Sequence, residues 1–146
     1  MFIEDRVKHT KQLIIPNIRK GIFVLSDRYA LSTIAYQSSQ GISSEVLLNM
    51  HHGKGILIPD ITFFIYLTSK IAEERLRKRG DPIEKFEEEK FTKILIEQYR
   101  KLIKNAQKNE QSFGKVVIID GTKNISEVAE SIKKEFGKVY EKWRSA

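Results

Sequence analysis

Three short runs in this 146-residue chain bring chemistry-bearing side chains together. The first is Asp27-Arg28-Tyr29 in "VLSDRYALSTIAYQ", where an apolar stretch breaks into a polar one. A carboxylate beside a guanidinium can do paired work. The acid can hold Mg²⁺ through water or orient a phosphate nucleophile, and the base can clamp phosphate oxygens with two parallel hydrogen bonds. The same dipeptide also reads as a local ion pair closing a strand end. The second run, "RLRKRG", sets Arg75, Lys78 and Arg79 at neighbouring helical positions. Cations that close over a transferring phosphoryl group stabilise its charge; a solvated basic face, with "EKFEEE" as counter-charge, is the plainer alternative. The third is Asp120-Gly121-Thr122, at the end of "KVVIID". His51-His52 is a poor metal site, because adjacent helical residues point apart and no partner stands at ligand spacing. "GKG" at 53–55 lacks the full G-x-x-x-x-G-K-[ST] pattern of a phosphate loop.

These runs need elements to position them. The apolar runs "IFVLS" (22–26), "ITFFIYL" (61–67) and "KVVIID" (115–120) have strand character. The middle one is apolar on both faces, which predicts burial on both sides in a parallel sheet covered by helices. Helical periodicity runs through 2–20, where Pro16 should kink or restart the helix, then through about 30–37 and 43–51. Thr68-Ser69 offer an N-cap to "KIAEERLRKR". A long amphipathic helix carries Phe91, Leu95, Leu102 and Ala106 on one stripe. A final helix turns Val128, Ile132, Phe136, Val139 and Trp143 inward. Strands alternating with helices make the class α/β with a parallel sheet. In such sheets ligands sit at the carboxyl ends of the strands, where the first and third runs fall, together with Ser69-Lys70.

Composition narrows the classes. Hydrophobic residues are 40% and charged residues 31%, a globular balance. The longest apolar runs fall well short of a membrane span, and the charged "MFIEDRVKHT" is no secretory signal. The absence of Cys removes disulfides and thiolate metal sites and suits a cytoplasmic protein. The net charge of +7 favours anionic partners. Nucleic acid is the least supported of these, since no helix-turn-helix, RNA-binding or zinc signature accompanies the charge.

Taken together, five segments in order resemble the thymidylate kinase family, which passes the γ-phosphoryl of ATP to dTMP. "FIEDR" resembles the family's F-x-x-x-R helix start, and "DRYALSTIAYQ" its D-R-[YH]-x-x-S-x-x-A-[YF]-Q segment. "PDITFFIYLT" is similar to its P-D-x-x-x-x-L strand, "RLRKRG" to its arginine-bearing lid, and "IDGTKNISEV" to the loop lining the adenine pocket. The resemblance implies a P-loop-kinase-like parallel sheet with helices on both faces, and one domain over residues 1–146. It implies that Phe2 stacks on thymine, that Arg6 reaches the base's O4, that Thr33 approaches its polar edge and that Gln37 lies beside it. Tyr36 would pack beneath the sugar and exclude a ribose 2′-hydroxyl. Arg28 would hold the dTMP phosphate, and Asp27 would sit by the transferring phosphate and its Mg²⁺. Arg75 and Arg79 would act on the phosphates from the lid, and Gly121, Thr122 and Lys123 would border the adenine of ATP. The family's homodimer pairs helices that include the counterpart of 2–20, where Ile3, Val7, Ile14, Ile15 and Ile18 show more apolar surface than one face needs.

Two departures shape the expectations. The family's opening strand and glycine-rich phosphate loop have no counterpart in this chain, which begins late and keeps three strands of the sheet. Poor phosphoryl transfer follows, or else a non-catalytic nucleotide-binding or interaction module that retains the monophosphate half. The missing strand would lie between 22–26 and 61–67, so these two should pair directly, or a second chain should fill the slot. Tyr66 also stands near a position where the family often has an acid.

Overall fold

Apolar runs become strands in this protein only where a second strand edge faces them. The computed structural model describes residues 2–79, 85–106 and 112–145. Among these, β1 (Ile61–Tyr66) and β2 (Lys115–Asp120) form a parallel pair, with Ile61 opposite Lys115 and Tyr66 opposite Asp120. The run at 22–26, expected as a third strand, has no regular structure and joins no ladder among the described residues. It does not pair with β1, so the expected direct closure between these two segments is not made. The physical reason is a missing edge, because strand propensity is realised only as cross-strand pairing and burial. Phe23 instead packs on aromatic side chains of α7 (Ile125–Arg144): Phe136, Tyr140 and Trp143, with ring centroids 5.7, 5.6 and 4.9 Å away.

Burial on both faces of β1 is also only partial, and Ile65 is 49% exposed. Two strands are too narrow a sheet to be fully covered. Helices nonetheless lie on both faces. Val116 packs into the main helical core, while its neighbour Lys115 reaches Glu135 of α7 at 3.5 Å. Adjacent strand residues point to opposite faces. On α7, Val128, Ile132 and Val139 are half-buried rather than fully inward, and Trp143 is exposed.

The core sits where α3 (Ala30–Ser39) packs between α4 (Ser44–His52) and α6 (Lys85–Ala106). Ile34 and Ala35 are wholly buried there, against Leu47, Leu102, Ile103 and Ala106. Complete burial of a side chain such as Ile34 stabilises by about 1.5–3 kcal/mol. The first helix is interrupted as Pro16 requires. α1 (Phe2–His9) passes through a π-helical turn at Thr10–Ile14 into α2 (Ile15–Ile18), with Pro16 in its first turn. The turn buries Thr10 and Ile14. α5 (Ser69–Arg79) starts at the expected cap: the Ile71 amide donates to Thr68 Oγ1 at 3.4 Å.

Candidate functional site

The loop before α3 decides how the first cluster is aimed. Arg28 has φ 61°, left-handed for a residue with a side chain, and the Ser26 hydroxyl donates to its carbonyl at 3.0 Å. Such a conformation costs on the order of 1–3 kcal/mol and persists only where its surroundings enforce it. It turns the guanidinium over the ring of Tyr36, 5.4 Å from the centroid. Arg28 therefore does not pair with Asp27, and the local ion-pair alternative is not realised. Asp27 is exposed and has no ion-pair or hydrogen-bond partner among the described residues.

Tyr29, Thr33 and Tyr36 lie three or four residues apart and so share one side of the α3 start, with Gln37 four residues after Thr33. From α1, Arg6 Nη2 donates to Thr33 Oγ1 at 3.1 Å, while the guanidinium carbon lies 4.5 Å from the Tyr29 ring centroid. Arg6 thus meets Thr33 and Tyr29, and Arg28 meets Tyr36 about one turn further along α3. Gln37 is half-buried beside them. Phe2 opens α1, and its side chain lies outside the described residues. On the next turn of the core, the Tyr99 hydroxyl donates to Ser32 Oγ at 2.9 Å. Burial raises the Tyr99 phenol above its ordinary value. Tyr99 stands on the Leu95–Leu102 stripe, so periodicity could have found it. Its link to Ser32 spans 67 residues and has no local signature.

A second cluster forms where β1 and β2 end. Asp120 Oδ1 accepts from the Thr122 amide at 3.0 Å and the Thr122 hydroxyl at 2.7 Å, closing a turn that the side chain itself makes. Those bonds hold the Asp120 carboxyl below the usual carboxylate range. The Gly121 amide donates to the Tyr66 carbonyl at 2.9 Å, and Arg75 Nη2 donates to the Gly121 carbonyl at 2.9 Å. The structure therefore joins Arg75, expected in the lid, to the expected adenine loop. The polar backbone groups of Gly121 and the Thr122 amide are already engaged, and Lys123 is exposed. The side chain of Arg79, and the charged stretch after it through residue 84, lie outside the described residues. Tyr66, where an acid was noted as frequent, accepts a hydrogen bond from Arg100, whose guanidinium lies 5.4 Å from its ring centroid.

Among the described residues no group of three or more His, Asp or Glu stands together to hold a metal ion, and the Mg²⁺ expectation rests on Asp27. Mg²⁺ commonly takes one or two carboxylates and completes its shell with water and substrate phosphates. Asp27, exposed and next in sequence to Arg28, would supply one such carboxylate.

Comparison with known proteins bears on the family. The family model described as Thymidylate kinase matches residues 1–132. The chain is 33% identical over 129 residues to the thymidylate kinase of Leptospira interrogans serovar copenhageni, covering 88% of this chain and 59% of that protein. It is 33% identical over 137 residues to a probable thymidylate kinase of Archaeoglobus fulgidus, covering 92% and 63%. It is 32% identical over 145 residues to the thymidylate kinase of Onion yellows phytoplasma, covering 97% and 68%. The chain spans about three fifths of the length of the first two relatives.

Proposed function

The chain belongs to the thymidylate kinase family, and on that premise we propose that it forms the dTMP-binding side of a kinase that converts dTMP and ATP to dTDP and ADP. The observation that carries this is the convergence of Arg6, Thr33, Arg28 and Tyr36 on one side of α3. In this reading Arg6, Thr33 and Gln37 take the base's polar edge, Phe2 its ring face, and Tyr36 the deoxyribose. Arg28 takes the phosphate. Phosphoryl transfer leaves the protein little covalent chemistry, so these residues work by positioning and by balancing charge. Asp27 would hold Mg²⁺ through water, and the ion when bound neutralises phosphate charge. Arg75 and Arg79 contribute positive charge from the lid. Gly121, Thr122 and Lys123 border adenine mainly by surface contact, given how much of their backbone is already hydrogen-bonded.

No G-x-x-x-x-G-K-[ST] run lies within the 146 residues. This stretch acting alone is therefore expected to bind dTMP and to transfer phosphoryl slowly, and a purely nucleotide-binding module is the limiting case. Leu13 and Ile18, 45% and 48% exposed, support pairing with a second copy through this helical segment. Calorimetric titration with dTMP tests the reading. Arg28→Ala removes charge-assisted hydrogen bonds and should weaken dTMP about 10- to 100-fold. Equal affinity in the variant and the parent would refute the phosphate assignment.

A further inference from the structure

Arg6 can recognise a base edge only if its guanidinium is held still, and two residues without an assigned role surround it. Thr10 is wholly buried although polar, and it opens the π-helical turn that follows α1. Such turns often mark functional positions in helices. Its Oγ1 shares a 3.2 Å hydrogen bond with the Tyr29 hydroxyl. That bond fixes the rotation of the Tyr29 ring, on whose face Arg6 lies at 4.5 Å. Thr33 supplies the other side: its hydroxyl proton points to the Tyr29 carbonyl, 3.4 Å away, which leaves its oxygen lone pairs for Arg6. His51 lies near enough to Arg6 to feel its charge, and burial favours its neutral form, so it adds no repulsion.

We infer that Tyr29 and Thr10 are positioning residues for Arg6: Thr10 locks the ring, the ring carries the guanidinium, and the remaining donors of Arg6 face the base of the bound nucleotide. This rests on the dTMP reading above and deepens it. Tyr29 and Thr10 touch no substrate. They limit the orientations of a long flexible side chain before binding, so the ordering cost at binding is smaller. A fixed donor pair discriminates between bases. It bonds the O4 acceptor of thymine, and it faces a donor in the amino group of cytosine.

The test is the ratio of dTMP to dCMP affinity, measured by calorimetry on the 146-residue chain, with thermal unfolding of each variant as a folding check. Arg6→Ala should abolish most of the preference. Thr10→Val and Tyr29→Phe should each lower the ratio about fivefold, the equivalent of one ordinary hydrogen bond. Tyr29→Leu, which also removes the ring face, should lower it further. Thr10→Ser keeps the hydroxyl and should restore the parental ratio. General loosening of the fold would weaken both nucleotides together and leave the ratio alone. An unchanged ratio in Thr10→Val and Tyr29→Leu, with parental dTMP binding intact, overturns the inference and spares the dTMP reading. A parental chain that binds neither nucleotide overturns both.

Discussion

Gly121 is where the fold and the second cluster depend on the same atom, and adding one methyl group there should be costly. A Cβ on Gly121 would sit 2.7 Å from Ile65 Cγ2, 2.9 Å from the Tyr66 carbonyl oxygen and 3.1 Å from Leu67 Cδ2. The third is a side-chain tip that can rotate, whereas the Ile65 methyl sits on a β-branched carbon and moves only with a stiff χ1. The second is backbone, and it is the acceptor of the Gly121 amide itself. Relief therefore requires the end of β2 to move away from β1, stretching that 2.9 Å hydrogen bond and the Arg75 bond to the Gly121 carbonyl. Overpacking of this kind costs about 1–3 kcal/mol. Weakening one hydrogen bond adds about 1 kcal/mol, so Gly121→Ala should destabilise by about 2–4 kcal/mol. For a chain of this size that is a fall in Tm of roughly 6–15 °C. Gly137 gives the opposite sign. It lies within α7 with nothing inside 4 Å of a new Cβ, so Gly137→Ala should stabilise by up to about 1 kcal/mol. Both are read by circular dichroism during thermal unfolding. A Gly121→Ala chain melting at or above the parent would refute the argument from close approach.

Burial places the His51 imidazole below its ordinary value of 6.5 in the folded chain, so the unfolded chain takes up the proton first. Its contribution to stability is then complete above about pH 6.5 and is lost as the pH falls below it. His51→Gln should flatten that slope in urea titrations between about pH 5 and 8; identical slopes in the two chains would contradict it. Asn124 caps α7, accepting from the Glu127 amide at 3.0 Å while Glu127 returns a bond to the Asn124 amide. Asn124→Ala should cost about 0.5–2 kcal/mol by chemical denaturation, and no measurable loss would mean that α7 is held by its packing alone.

What could be read from the residues followed local physics. β1 and β2 were legible as continuous apolar runs, α5 from Thr68, and the break in the first helix from Pro16. The residues proposed for dTMP were legible as a motif, and the structure sets Arg6 against Thr33 and Arg28 over Tyr36. What escaped depends on distant partners. The 22–26 run has the composition of a strand and no second edge, so it packs Phe23 on α7 instead. The inward stripe on α7 presumes a sheet broad enough to cover it, and two strands are not. The Tyr29 hydroxyl bond to Thr10 and the Tyr99 bond to Ser32 join positions 19 and 67 residues apart, which no spacing rule links.

Titration of isotope-labelled protein with dTMP, followed through its amide NMR signals, tests the central claim most directly. Saturable shifts centred on Arg6, Arg28, Thr33 and Tyr36, and absent with inorganic phosphate at the same concentration, are the predicted result. Shifts scattered over the lysine-rich surface, or none at those four residues, would contradict it.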